Sequence, residues 1–169
     1  ERTRASMLKL KELVDSGALL TGSPTDYWDP SAFTQSLTAM QWTGLWAMPQ
    51  ILNDVGDDFG VLPWPPSDEE GSPSTFWGGW GECVNGNGAN VDAAKDFVKW
   101  LWIDNTEYQQ DWNLSYGFHV PPRTSAAESA EALQEGPAAE VVTFLNDYGV
   151  VTPPLWTPAM GTAYGDALA

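Results

Sequence analysis

Cysteine, histidine and positive charge are scarce in this sequence. Its single cysteine, Cys83, excludes an intrachain disulfide and a cysteine zinc site. Its single histidine, His119, removes most histidine-based metal and triad chemistry. Only 7 Lys+Arg stand against 23 Asp+Glu, and the net charge of −16 argues against binding nucleic acid phosphates or anionic lipid. No apolar run approaches the roughly 20 residues of a spanning helix. The opening Glu1-Arg2-Thr3-Arg4 carries no initiator Met and no apolar leader segment. Helical patterns begin and end the chain abruptly, and we expect a processed chain or part of a longer one.

What is abundant is tryptophan, with ten. Trp is flat and amphipathic and serves cores, interfaces and stacking sites alike. Ten of them with few cations point to a neutral, stackable ligand. Sugars fit that description, because their C–H faces lie on aromatic rings while their hydroxyls seek Asp, Glu, Asn and Gln. The plain alternative is that most of the ten are core. The 169 residues are enough for one domain or two small ones. An apolar share of 43% is too rich for a disordered chain, and 16 glycines with 13 prolines predict many turns.

Along the chain, Met7, Leu10, Val14 and Ala18 recur at helical spacing and predict a helix over 3–20. Residues 21–30 read as a loop, and Ser31 as the cap of a short helical segment. Thr38–Trp42 alternates like a strand, and Gly44–Pro49 turns into a short helix ending near Leu52. Asn53–Asp58 is an acidic turn without the spacing of a calcium loop. Phe59–Pro63 reads as a short strand, 63–75 as a solvent loop, and Thr75–Val84 as a strand rich in aromatics and glycine. Glycine in a strand often marks close approach of a ligand or another backbone. Asn90 precedes the clearest helix, with Ala93, Ala94, Phe97, Val98, Leu101 and Trp102 on one face. A second helix follows to about Trp112, then an extended Gly117–Arg123. Residues 126–148 read as helix in two parts broken at Gly136-Pro137, Val150–Pro158 as extended, and the end as helix.

Few groups offer catalysis. The 23 acidic residues will form carboxylate pairs by chance, so their number identifies no glycosidase pair. Glu82, just after Gly79-Trp80-Gly81, is placed either to accept sugar hydroxyls or as an exposed strand residue. No Gly-x-Ser-x-Gly elbow, dinucleotide fingerprint or Walker A loop occurs. His119 reads as a surface or structural residue, and Cys83 as a small buried one. Asn113-Leu114-Ser115 matches a glycosylation sequon, a triplet common by chance. No catalytic residue, metal site or cofactor is assigned.

Several segments, in order, resemble the C-terminal half of the family 1 extracellular solute-binding proteins, the maltose-binding-like receptors of ABC sugar importers. Phe33–Met40 resembles the family's F-x-x-G-x-x-A-M, with Ser36 in place of the glycine. Gly44-Leu45-Trp46 resembles G-x-W, Gly60–Pro65 resembles G-x-x-P-x-P, and Gly78-Gly79-Trp80 is similar to G-G-x. Asp92–Leu101 resembles A-A-x-x-F-x-x-W/F-L, and Gly117–Arg123 resembles G-x-x-P-x-R/N. The resemblance spans roughly 3–160.

It implies an α/β, periplasmic-binding-protein-like two-lobe fold of which this chain is a C-terminal part. Residues 1–60 and 121–169 would belong to the C-terminal lobe, and 61–120 would cross to the other. It implies an extracellular or periplasmic receptor, anchored through an N-terminal lipid signal, delivering a sugar or oligosaccharide to importer permease subunits. By the matching motifs, Trp46 and Trp80 would stack on sugar, with Gly79 allowing close approach. Trp156 falls at a late cleft aromatic, while Trp42 and Trp77 are either cleft or core. Trp100 and Trp102 read as core packing. Two other readings remain open: a glycoside hydrolase fragment using Glu82 and a second carboxylate, and a receptor of the same fold for a peptide or polyamine.

Overall fold

The structure, a computed structural model, describes residues 2–22, 26 and 28–168. It is mixed α/β and mostly helical. Helix α1 spans Arg2–Asp15, shorter than the apolar spacing predicts. Helix α2 is a single turn, Ser31–Thr34. Ser31 is its first helical residue rather than its cap. The cap chemistry comes from Asp29, whose Oδ1 accepts from the Ser31 amide at 2.9 Å and also from the Ser31 hydroxyl. Those bonds, the hydroxyl's first, hold the Asp29 carboxyl below its usual range.

The end of α2 gives Ser36 its meaning. The Leu37 amide donates to the Ala32 carbonyl at 2.9 Å, and the Ser36 amide donates to the Phe33 carbonyl at 2.9 Å. That pair of bonds is a Schellman motif, and it requires a left-handed residue after the C-cap. Ser36 supplies it with φ +60°. Glycine adopts this conformation without cost, whereas a residue with a Cβ pays roughly 1–2 kcal/mol. Ser36→Gly is therefore expected to raise stability by about 1 kcal/mol, less the extra freedom glycine gives the unfolded chain. Denaturant unfolding of the two proteins checks it, and a loss of stability would contradict the capping geometry.

Thr38–Trp42, expected as a strand, is irregular. Gln41 occupies it with other bonds: its Nε2 donates to the Asp29 carbonyl at 2.8 Å, and its Oε1 accepts from the Phe33 amide at 3.2 Å. A 3-10 turn, Leu45–Ala47, runs straight into α3, Met48–Val55, which ends on Gly56 at φ +69°. Phe59–Pro63 is also not a strand; Trp64 and Ser74 instead form an isolated antiparallel bridge across the solvent loop. Strand β1 is only Thr75–Phe76, although the sequence predicts one as far as Val84.

Helix α4, Val91–Lys99, opens at Asn90 without a side-chain cap bond and continues into a π-helical turn, Trp100–Asp104. The wider turn leaves carbonyls to be satisfied from elsewhere. Gln109 Nε2 donates to the Trp102 carbonyl at 2.8 Å, and Arg123 Nη2 donates to the Ile103 carbonyl at 2.6 Å. Helix α5, Thr106–Tyr116, is capped by Asn105, whose side chain accepts from the Tyr108 amide at 3.2 Å. Asn113 lies within α5 and gives its Nδ2 to the Gln109 carbonyl at 2.7 Å, so the sequon nitrogen is engaged in the helix.

Helix α6, Thr124–Glu128, and a 3-10 turn, Glu131–Leu133, lead to α7, Gly136–Tyr148. Gly136-Pro137 begins that helix rather than interrupting a longer one, with Gly136 at φ +61° and proline in the first turn, where its missing N–H is no loss. Strand β2, Gly149–Val150, pairs in parallel with β1 in the register Thr75↔Gly149 and Phe76↔Val150. Helix α8, Pro158–Leu168, follows.

The core joins distant segments. Leu45, Met48, Ala130, Leu133 and Ala138 are buried together, with Phe59, Val61, Phe118, Val120 and the apolar face of α7 around them. Helix α4 buries no residue. The chain exposes 12655 Å², about one and a half times the roughly 8,200 Å² that a compact monomer of its mass would show.

Candidate functional site

Trp46 stands in the 3-10 turn between Leu45 and Ala47, both buried, and Met48 beyond them is buried too. The core thus holds the backbone on either side of a ring that remains 43% exposed. The six-membered part of that ring lies directly over Gly44.

Gly79, Trp80 and Glu82 share one exposed, irregular segment just past β1. Trp80 is 95% exposed, so its indole rests on almost nothing. A Cβ on Gly79 would meet no atom within 4 Å. The surrounding structure therefore sets no steric demand for glycine at this position. Trp77, left between cleft and core by its sequence, is tied to the sheet: its amide donates to the Val150 carbonyl at 2.8 Å and its ring packs over Gly149.

Trp42 is 75% exposed and pairs with Trp64, ring centroids 4.7 Å apart and tilted by 36°. Trp156, 42% exposed, meets Tyr164 of α8 edge-on at 6.4 Å. The six candidates therefore lie on separate supports: the turn before α3, the segment after β1, the Trp42–Trp64 pair and the approach to α8. None of the six lines either of two open hollows formed by other described residues.

One hollow, about 460 Å³, lies beside the α2 Schellman turn and is lined by Phe33, Ser36, Thr38, Ala39, Val55 and Asp58. The other, about 270 Å³, is lined by Trp100, Trp102, Tyr108, Asp111, Trp112 and Tyr116. Its rings touch in two groups: Trp100 meets Tyr108 edge-on at 5.3 Å, while Trp102 meets Trp112 at 5.9 Å and 89° and Trp112 stacks on Tyr116 at 5.2 Å. Trp100, expected in the core, is exposed. This aromatic face did have a signal in the sequence, since Tyr108, Trp112 and Tyr116 recur every fourth residue along one side of α5.

Cys83 is exposed rather than buried, and His119 is half-buried, with its amide donating to the Asn113 carbonyl at 2.8 Å. In the acidic turn, Asn53 Nδ2 donates to Asp54 Oδ1 at 3.0 Å. Among the described residues, no three His, Cys, Asp or Glu stand together as a metal site, and no helix is long and apolar enough to cross a membrane. No protein-family model matches the sequence, and no curated protein matches it.

Proposed function

We propose that this chain is the C-terminal portion of an extracellular carbohydrate receptor with the two-lobe, periplasmic-binding-protein architecture, serving an ABC importer. Its ligand would be a neutral oligosaccharide, held between the lobes by stacking on Trp46 and Trp80, with Trp42 and Trp156 as further aromatic contacts and Glu82 accepting hydroxyls. Binding would stabilise the closed state that the permease subunits read.

The observation that carries this reading is Trp46, an apolar ring turned to solvent from a backbone pinned on both sides by the core. A side chain that large gains most by being buried, so an exposed one on a rigid support is a ready stacking surface. Ser36 supports the motif order, because the position where the resembled family has glycine is left-handed here. In this reading α4, which buries no residue, lies in the segment that crosses toward the other lobe, while both ends of that segment, at Val61 and at Leu114, Phe118 and Val120, pack on the core of this one. The excess exposed area fits a lobe made to pack against another polypeptide lobe.

The test is a tryptophan-fluorescence titration of the full-length protein with maltotriose, cellotriose and xylotriose, with each mixture analysed for products. Saturable binding with the sugar recovered intact is the expected result. Cleaved sugar would replace the receptor reading with a hydrolase. No response to any of the three would turn the search to peptides and polyamines.

A further inference from the structure

Gly44 stands at φ −133° and ψ 179°, extended backbone that any residue adopts. Its glycine is therefore not explained by conformational freedom. It is explained by the ring above it. A Cβ on Gly44 would lie 2.1 Å from Trp46 Cζ3, 2.4 Å from Cη2 and 2.5 Å from Cε3. Three carbons of the indole occupy the volume that any other residue's side chain would claim.

We propose that Gly44 is a positioning residue for sugar binding: its bare Cα is the floor on which the Trp46 indole lies, fixing which ring face is offered to ligand. This rests on the sugar reading of Trp46 given above. The neighbours make the arrangement stiff. Leu45, Ala47 and Met48 are buried, so the turn cannot slide to make room for a methyl group. The ring itself must move, by rotation about its χ angles. A displaced ring stays exposed and leaves the backbone intact, but it no longer meets the sugar plane at contact distance. The same close seating recurs where the His119 ring lies over Gly117 and the Phe76 ring over Gly78, so this chain repeatedly places a ring on a glycine two residues away. Only Gly44 does so beneath a candidate ligand-stacking ring.

Gly44→Ala is expected to weaken binding of the tightest of maltotriose, cellotriose and xylotriose about tenfold, the scale set by small misplacements of a binding group. In a proton–nitrogen correlation spectrum the Trp46 indole N–H, identified as the resonance missing from Trp46→Phe, should shift while the remaining indole resonances stay in place. Gly60→Ala, where a Cβ would meet nothing within 4 Å, should change neither readout. In a Trp46→Ala background, Gly44→Ala should add no further loss of affinity. Losses that add in the double variant, or an unmoved Trp46 resonance with wild-type affinity, would overturn the proposal. If none of the three sugars binds the wild type, the sugar reading falls, and the Trp46 resonance alone decides whether Gly44 seats the ring.

Discussion

Trp46→Ala should raise the dissociation constant for a bound neutral oligosaccharide roughly 60-fold. One face of an indole presents on the order of 100 Å². At ~25 cal/mol per Å² its burial against a sugar contributes about 2.5 kcal/mol, which is the stated ratio of constants. Trp80→Ala should weaken binding on the same scale, with a cleaner control. At 95% exposure Trp80 has no packing to lose, so its removal should leave unfolding stability within about 0.5 kcal/mol of wild type. Calorimetric titration and denaturant unfolding of both variants make the check. A Trp80→Ala protein that binds sugar as the wild type does would remove Trp80 from the site.

Leu133→Ala should destabilise the fold by about 3 kcal/mol. Leu133 is 2% exposed and belongs to the buried cluster of Leu45, Met48, Ala130 and Ala138. The two alanines are too small to fill the space that a lost isobutyl group leaves, so a cavity cost adds to the transfer cost. The loss is a large share of the total in any small domain. It also reaches the candidate site, because the same cluster holds Leu45 and Met48 around Trp46. Urea unfolding of Leu133→Ala beside Leu62→Ala measures it, since Leu62 is exposed and its truncation should change little. Equal midpoints in the two variants would show that the cluster is not the centre of stability.

The longer helices were legible from residue spacing. The apolar face that predicts a helix after Asn90 is α4, and the segment after Asn105 is α5, capped by Asn105 as its position requires. The strands were not legible. Thr38–Trp42 alternates like a strand, yet Gln41 spends its amide on Asp29 and Phe33, and the segment stays irregular. Thr75–Val84 pairs only through Thr75 and Phe76, because Gly149 and Val150 are the residues opposite them and no further register follows. A strand exists only where another segment meets it, and that partner lies more than seventy residues away.

The candidate site divides in the same manner. Its membership came from motif order and tryptophan content. Its exposure did not, because an indole written in a sequence looks the same in a core or in water. Trp100, expected inside, is exposed, and Trp42 has Trp64 beside it, a neighbour its local sequence does not announce.

The amino-acid sequence alone determined the acidic charge, the lack of any disulfide within these residues, the scarcity of histidine chemistry and the existence of the main helices. These follow from counts and from bonds that close within one helical turn. Tertiary structure decided which rings face solvent and which side chains hold them there. Trp46 is presented because Leu45 and Met48 are gripped by Leu133 and Ala138, almost ninety residues further along the chain. Burial depends on such distant partners, and no local pattern around Trp46 encodes them.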